Sequence, residues 1–278
     1  MPPTRRDMLK VMAATGVATL PTTGQAGRQE RLHPGWVIGK MTGAQAIVKT
    51  LQAEGTRCVF GIPGAQENEL WDTFKSLKMT YLLVTNELSA SYMADGYART
   101  TGEPGVICVV PGPGVTNALS GIGEALLDSV PMVCIVGDVA RGKKYRPFQV
   151  HELPNVDLLR PVTKGVFEVN DVPGIADAIR KAFSLARSGE PDPVGVVIPY
   201  NYMLESHKYA SPPMACEGVP FDEHAYQCAL GMLSNKRHRV GIYAGMGCMN
   251  YAPMLKQVAE LMEAPIATSV SGKGVIDE

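Results

Sequence analysis

A single carboxylate, Glu87, follows the apolar run 81–84 and opens a segment, 88–99, with helical spacing. A glutamate in the first turn of a helix commonly does no more than compensate the helix dipole, which is worth roughly 0.3–1 kcal/mol. Walled by Leu88, Ala90 and glycine loops, the same side chain would instead be desolvated, would bind its proton more tightly, and could hold or share that proton near neutral pH. Periodicity leaves both readings open. Two glycine-rich turns also follow apolar runs. One is Gly61-Ile62-Pro63-Gly64-Ala65-Gln66 and the other is Pro111-Gly112-Pro113-Gly114-Val115-Thr116-Asn117. Gly112 and Gly114 lead into a helix start whose free N–H groups could receive an anion. Neither turn has the spacing of a dinucleotide or P-loop fingerprint, so close backbone packing is the competing reading. A lone Asp138 follows Gly137, and Ala244-Gly245-Met246-Gly247-Cys248 later in the chain leaves a flavin or nucleotide site as a third reading, which nothing else in the sequence supports.

These turns need a framework, and the chain alternates helix and strand from residue 41. Thr42-Gly43-Ala44-Gln45 has the form of a capping box, Ile47, Val48 and Leu51 continue at helical spacing, and Gly55 stops the helix. Strands are predicted over 58–60, 81–84, 106–110, 132–136, 166–169 and 194–198. Helices are predicted through Leu70, Trp71, Phe74 and Leu77, over 87–102 and 115–129, and from near Pro173 to Ser188. The strands are continuous apolar runs, as in a parallel sheet covered on both faces. The expectation is therefore an α/β fold, a doubly wound six-stranded parallel sheet with helices on both faces. In such a sheet ligands bind beyond the carboxyl ends of the strands, where all the turns above lie. Residues 205–221, with Ser211-Pro212-Pro213 and Gly218-Val219-Pro220, read as a linker. Residues 222–278 restart the pattern as an incomplete second α/β domain.

Composition bounds the function. The chain has 278 residues, 45% hydrophobic and 19% charged, with 26 Lys plus Arg against 27 Asp plus Glu. Such a balance excludes a nucleic-acid protein built on a basic stripe. No apolar run reaches the about 18 residues of a membrane span. Arg5-Arg6, a weakly apolar stretch over 11–20 and the small residues Gly24 and Ala26 have the layout of a twin-arginine export signal, so 1–40 is expected to be leader and linker, with a periplasmic destination and the cytoplasm as the alternative. The six cysteines show no CxxC spacing; Cys58, Cys108 and Cys134 sit in strand-like runs and read as buried thiols rather than metal ligands.

Several segments, taken in order, resemble one family. They are Phe60-Gly61-Ile62-Pro63-Gly64, Asn86-Glu87, the run Ala94 to Arg99, Gly112 to Asn117, Asp128-Ser129-Val130-Pro131-Met132 and Pro161-Val162-Thr163-Lys164. They resemble the N-terminal, pyrimidine-binding domain of thiamine diphosphate enzymes, of the acetolactate synthase-like group, over residues 41–204. Residues 218–278 resemble the start of that family's central domain. The resemblance implies that Glu87 hydrogen-bonds the aminopyrimidine ring of the cofactor and promotes formation of its carbon nucleophile, which decarboxylates a small 2-oxo acid. It implies that Pro63, Gly64, Gly112, Gly114 and Asn117 shape the pyrimidine pocket, that Gln149 joins Glu87 in catalysis, and that Ala65, Phe148 and Gln149 adjoin the substrate.

The chain departs from the family pattern at several points. Asn86 stands where the family has His, Ala65-Gln66 replaces Gly-Ala, Tyr200-Asn201 replaces Lys-Asp, and Val150-His151 is inserted between Phe148-Gln149 and Glu152. His151 is either a new site residue or an exposed loop histidine. Gly-Asp-Gly, through which the family holds diphosphate and Mg²⁺, does not occur; Mg²⁺ would come only with a missing domain or partner, no metal ligand is assigned here, and FAD is unsupported. The expected function is the pyrimidine-binding half of a 2-oxo acid decarboxylase or carboligase, of the kind used in branched-chain amino acid biosynthesis. It would be completed by a homodimer or a partner chain supplying the diphosphate-binding domain. The alternative is a catalytically inactive, exported interaction module on the same fold.

Overall fold

The structure, a computed structural model, describes residues 35–276 except 216, 217, 219 and 236. The expected export signal lies outside the described residues. A larger unit runs through residue 218 and a smaller one begins at Pro220.

In the larger unit, among the described residues, eight strands and seven α-helices build a sheet and its covering layers. The strands are β1 (Val37–Thr42), β2 (Val59–Gly61), β3 (Tyr81–Leu83), β4 (Gly105–Val109), β5 (Met132–Asp138), β6 (Gly165–Glu168), β7 (Pro193–Pro199) and β8 (Ser206–Ser211). Helices α1 (Gly43–Ala53), α2 (Asn68–Ser76), α3 (Glu87–Thr101), α4 (Pro113–Leu127), α5 (Asn155–Leu159), α6 (Ile175–Arg187) and α7 (Tyr200–Leu204) connect them. Six strands form one parallel sheet in the order β3-β2-β4-β5-β7-β6. Side chains alternate across it. Val106 and Cys108 of β4 pack into one core with α1, α2 and α6, whereas Ile107 and Val109 pack into the other with α3, α4 and α5. In the inner strands β2, β4, β5 and β7 every residue is buried, which is why they read as unbroken apolar runs, whereas the edge strands β3 and β6 are only partly covered.

Local chemistry sets the helix starts. The Thr42 hydroxyl accepts from the backbone of Gln45 at 3.2 Å and the Gln45 side chain accepts from the backbone of Thr42 at 3.0 Å, a closed capping box. Pro113 occupies the first turn of α4, two residues earlier than predicted, where its missing N–H costs nothing. Helix α3 lies close on β4 because Ala90, Ala94 and Ala98 face inward, and Gly121 lets α4 approach Ser91. Arg99 pins the pair by bonding Asp95 and Asp128, both at 2.8 Å.

Two predicted boundaries change. Residues 37–40, expected as linker, lie in β1, and 206–211, expected as linker, form β8; the two strands pair antiparallel from Val37↔Ser211 to Thr42↔Ser206. Their attachment is polar. Arg180 of α6 is 1% exposed and bonds Ser211 Oγ at 3.0 Å and Glu54 Oε1 at 2.8 Å. Tyr209 donates its hydroxyl to the Val172 carbonyl at 2.8 Å. The smaller unit contains α8 (Glu223–Ser234), β9 (Ile242–Ala244), α9 (Ala252–Met262) and β10 (Ile266–Thr268), with β9 and β10 parallel. No residue of α8 is buried, and Phe221, Met232, Tyr243 and Val270 are exposed.

Candidate functional site

The chain reverses direction across the sheet between β2 and β4. From β2 it passes through α2 to β3 on one side; from β4 it passes through α4 to β5 on the other. The loops that leave these two strands therefore diverge, and a crevice opens at their carboxyl ends. Neither strand can thicken there, since a Cβ on Gly61 would come 2.0 Å from the Cys108 carbonyl oxygen.

Glu87 opens α3 at this edge. Asn86, the helix cap, accepts from the Leu88 N–H through Oδ1 at 2.9 Å. Glu87 stands in the first turn of α3 and is 9% exposed. Its Oε2 accepts from Asn117 Nδ2 at 3.0 Å, whereas Oε1 has no hydrogen-bond partner among the described residues. A Cβ on Gly114 would lie 3.4 Å from Oε1 and 2.7 Å from Val110 Cγ2, so the missing side chain keeps a space in front of the open oxygen. Gly64 is equally tight, 2.1 Å from Val110. The structure thus joins Glu87, Gly114 and Asn117 directly, and sets Gly64 against the strand end that Gly114 also touches. Pro63 and Ala65 are exposed on the same loop.

The Gln149 side-chain amide is committed to one backbone unit, donating to the Ala140 carbonyl at 2.7 Å and accepting from the Ala140 N–H at 3.1 Å. Phe148 is 89% exposed. Both line a small cleft with Glu152, and no hydrogen bond joins Gln149 to Glu87. The inserted pair packs against the glycine loops. Val150 accepts from Gln66 Nε2 at 3.1 Å, and the His151 carbonyl faces Gly112, where a Cβ would meet it at 2.6 Å. Gly112 has φ +63°, and the His151 side chain is exposed, the loop reading rather than the site reading. Asp138 is not alone. It takes Asn155 Nδ2 at 2.8 Å and Arg141 at 2.9 Å, and Asn155 Oδ1 accepts from the Gly112 N–H at 2.8 Å, so one network ties β5 to the start of α4.

Two further polar groups lie at this edge, Gln66 of the glycine turn and Glu67, which the sequence reading did not single out. Gln66 Oε1 is buried without a partner among the described residues. Glu67 is fully buried, and burial pushes its carboxyl up to about 8 although the Trp71 indole and the Gly137 N–H both donate to it. Its signal was present: 67, 70, 71 and 74 share one helix face, and the other three are core residues. Cys108 and Cys134 are buried thiols raised by desolvation; Cys58 is half-buried.

Residues 41–158 match the family described as thiamine pyrophosphate enzyme, N-terminal TPP binding domain. The acetolactate synthase large subunit of Buchnera aphidicola subsp. Acyrthosiphon pisum is 34% identical over 244 residues, covering 84% of this chain and 42% of the relative. The acetolactate synthase isozyme 3 large subunit of Escherichia coli is 36% identical over 245 residues, with the same two shares. The chloroplastic acetolactate synthase of Arabidopsis thaliana is 34% identical over 244 residues, covering 84% of this chain and 36% of the relative. The chain therefore spans less than half the length of these relatives.

Proposed function

Since residues 41–158 are an N-terminal domain of the thiamine pyrophosphate enzyme family, acetolactate synthase-like in sequence, we propose that Glu87 binds the pyrimidine end of thiamine diphosphate. The carrying observation is the half-satisfied carboxyl: Oε2 is held by Asn117 and Oε1 is open beside a glycine. The surroundings fit a flat heterocycle, because Gly64 and Gly114 remove side chains where a ring would lie against backbone. Asn117 fixes the carboxyl plane, and Oε1 is the atom that exchanges a proton or hydrogen bond with a ring nitrogen. Gln66 Oε1 is an unused buried acceptor on the adjoining loop, available to an amino group. When bound, the cofactor supplies a carbon nucleophile and an electron sink for decarboxylating a small 2-oxo acid. The diphosphate and its Mg²⁺ are assigned to a further segment or to a partner chain, in an oligomer.

The test is isothermal titration of thiamine diphosphate with Mg²⁺ into the chain, with and without a candidate partner, for the wild type and Glu87→Gln. Binding that Glu87→Gln weakens about tenfold or more supports the proposal, an ionic hydrogen bond being worth roughly 1.5–3 kcal/mol. No binding in either arrangement refutes it. The exposed apolar residues of the smaller unit favour a second reading, an interaction module without catalysis. Decarboxylation of pyruvate by the purified chain would exclude that reading.

A further inference from the structure

The carboxyl that this chemistry leaves unused is Glu67. Its backbone N–H closes the turn onto the Gly64 carbonyl at 2.9 Å, so it belongs to the glycine loop as well as to α2. Its side chain runs inward beneath the crevice. Trp71 Nε1 donates to Oε2 at 3.3 Å and the Gly137 N–H, near the end of β5, donates to Oε1 at 3.2 Å. Gly137 must lack a side chain, since a Cβ would come 2.4 Å from Glu67 Cγ. One carboxyl thus clamps the loop after β2 onto β5.

The groups that face it come from four elements. From α2 there is the Trp71 indole, and from β5 the Gly137 N–H, while the neighbouring Asp138 is turned to Asn155 and Arg141. From β4 there is the Cys108 thiol, kept neutral by its own burial. From α3 there is Glu87, whose negative charge acts on Glu67 and favours its protonated form. No cation is paired with Glu67 among the described residues.

We propose that Glu67 is a positioning residue of the Glu87 site: by keeping its proton it leaves the negative charge of the crevice on Glu87 alone, and through Trp71 and Gly137 it holds the glycine loop in place. The proposal rests on Glu87 being the ligand-binding carboxyl. Two carboxylates in so dry a place repel each other, so one of them stays neutral. Glu67 is the deeper of the two and has only neutral donors. Above its midpoint the second charge appears, the clamp now holds an ionised group, and the loop conformation responds.

Trp71 reports the change, because its indole is bonded to the titrating group. The chain has two tryptophans, so in a Trp36→Phe background, with excitation at the red edge where its tyrosines do not absorb, the emission comes from Trp71. Titration of the full chain is expected to give a fluorescence step centred near pH 8. The step should be absent in Glu67→Gln and should move to lower pH in Glu87→Gln, because the repulsion is gone. A step that survives Glu67→Gln, or a midpoint that Glu87→Gln leaves unmoved, overturns the proposal. Should Glu67→Gln fail to fold, carboxyl-carbon NMR of the glutamate-labelled wild-type chain decides. One glutamate titrating near pH 8 is expected, and none doing so overturns the proposal. These readouts need no cofactor. Loss of the Trp71 behaviour would leave the thiamine diphosphate reading standing, and absence of cofactor binding with an intact Trp71 step would sink that reading while leaving the coupled pair.

Discussion

Replacing Glu67 with glutamine should change how stability depends on pH, and the size of the change follows from burial. In the unfolded chain the carboxyl has its ordinary value of 4.5, and in the native chain burial raises it to about 8. Below the lower value both states hold the proton and Glu67 contributes nothing to the pH dependence. Between the two values the unfolded chain releases its proton while the native chain keeps it. The unfolded state then binds fewer protons, so stability falls as pH rises, by about 1.4 kcal/mol per pH unit, and levels off above the native value. At neutral pH the accumulated cost is roughly 3 kcal/mol. Glu67→Gln has no proton to release, so this slope disappears. The amide brings a cost of its own. Both carboxyl oxygens of Glu67 accept an N–H, from Trp71 and from Gly137, and an amide nitrogen cannot accept. One donor is left unmet, at roughly 1–3 kcal/mol independent of pH. The assay is urea unfolding followed by the fluorescence of Trp36 and Trp71, both in the larger unit, at a series of pH values. The variant should be the less stable protein near the carboxylate range, and the gap should close or reverse as pH approaches 8. Other ionisable groups cancel in the difference between the two proteins. Stability curves that run parallel through this range would refute the reasoning.

Three other outcomes follow from the same geometry. Glu54→Gln removes the charge that faces the buried guanidinium of Arg180 and should lower stability by about 3–5 kcal/mol, whereas Asp157→Asn, at an exposed pair 3.9 Å apart, should change it by less than about 1 kcal/mol; thermal unfolding compares them. Gly112→Ala places a side chain at φ +63° and 2.6 Å from the His151 carbonyl, so a loss of roughly 2 kcal/mol or more in urea unfolding is expected, with faster proteolysis of the 139–154 loop. A reporter protein fused after residue 40 should reach the periplasm of a bacterial host, and Arg5→Lys with Arg6→Lys should retain it in the cytoplasm; equal distribution of both fusions would reject the proposed export signal.

Much of the larger unit was legible before any coordinates. All six strands of the parallel sheet were present as apolar runs, although β2 and β3 are only three residues long. The β1–β8 pair was not legible, since Val37–Thr42 and Ser206–Ser211 are mixed polar strands joined across almost the whole unit, and no local pattern marks such a pairing. Helix α5 escaped for a similar reason, being one short turn held by tertiary contacts. In the candidate site, Glu87 and Asn117 were legible and the structure bonds them to each other. The placement of Gln149 was not. An amide on a long loop takes whichever partner the loop conformation offers, and here that is the backbone of Ala140.

The residues alone determined the layered architecture and the edge of the sheet on which chemistry can occur. Both follow from short-range facts: a strand buried on two faces is apolar throughout, and parallel strands gather their carboxyl-end turns on one side. Only the tertiary structure decided which carboxylate at that edge is paired, which is half-satisfied and which is fully buried. Helical spacing places Glu67 on the face of Leu70, Trp71 and Phe74, but it does not name what surrounds the carboxyl. Besides burial, the groups that act on its proton are Trp71, Cys108, Gly137 and Glu87, which come from α2, β4, β5 and α3. Desolvation and charge repulsion depend on everything that surrounds a group in space, and chain order does not disclose those neighbours.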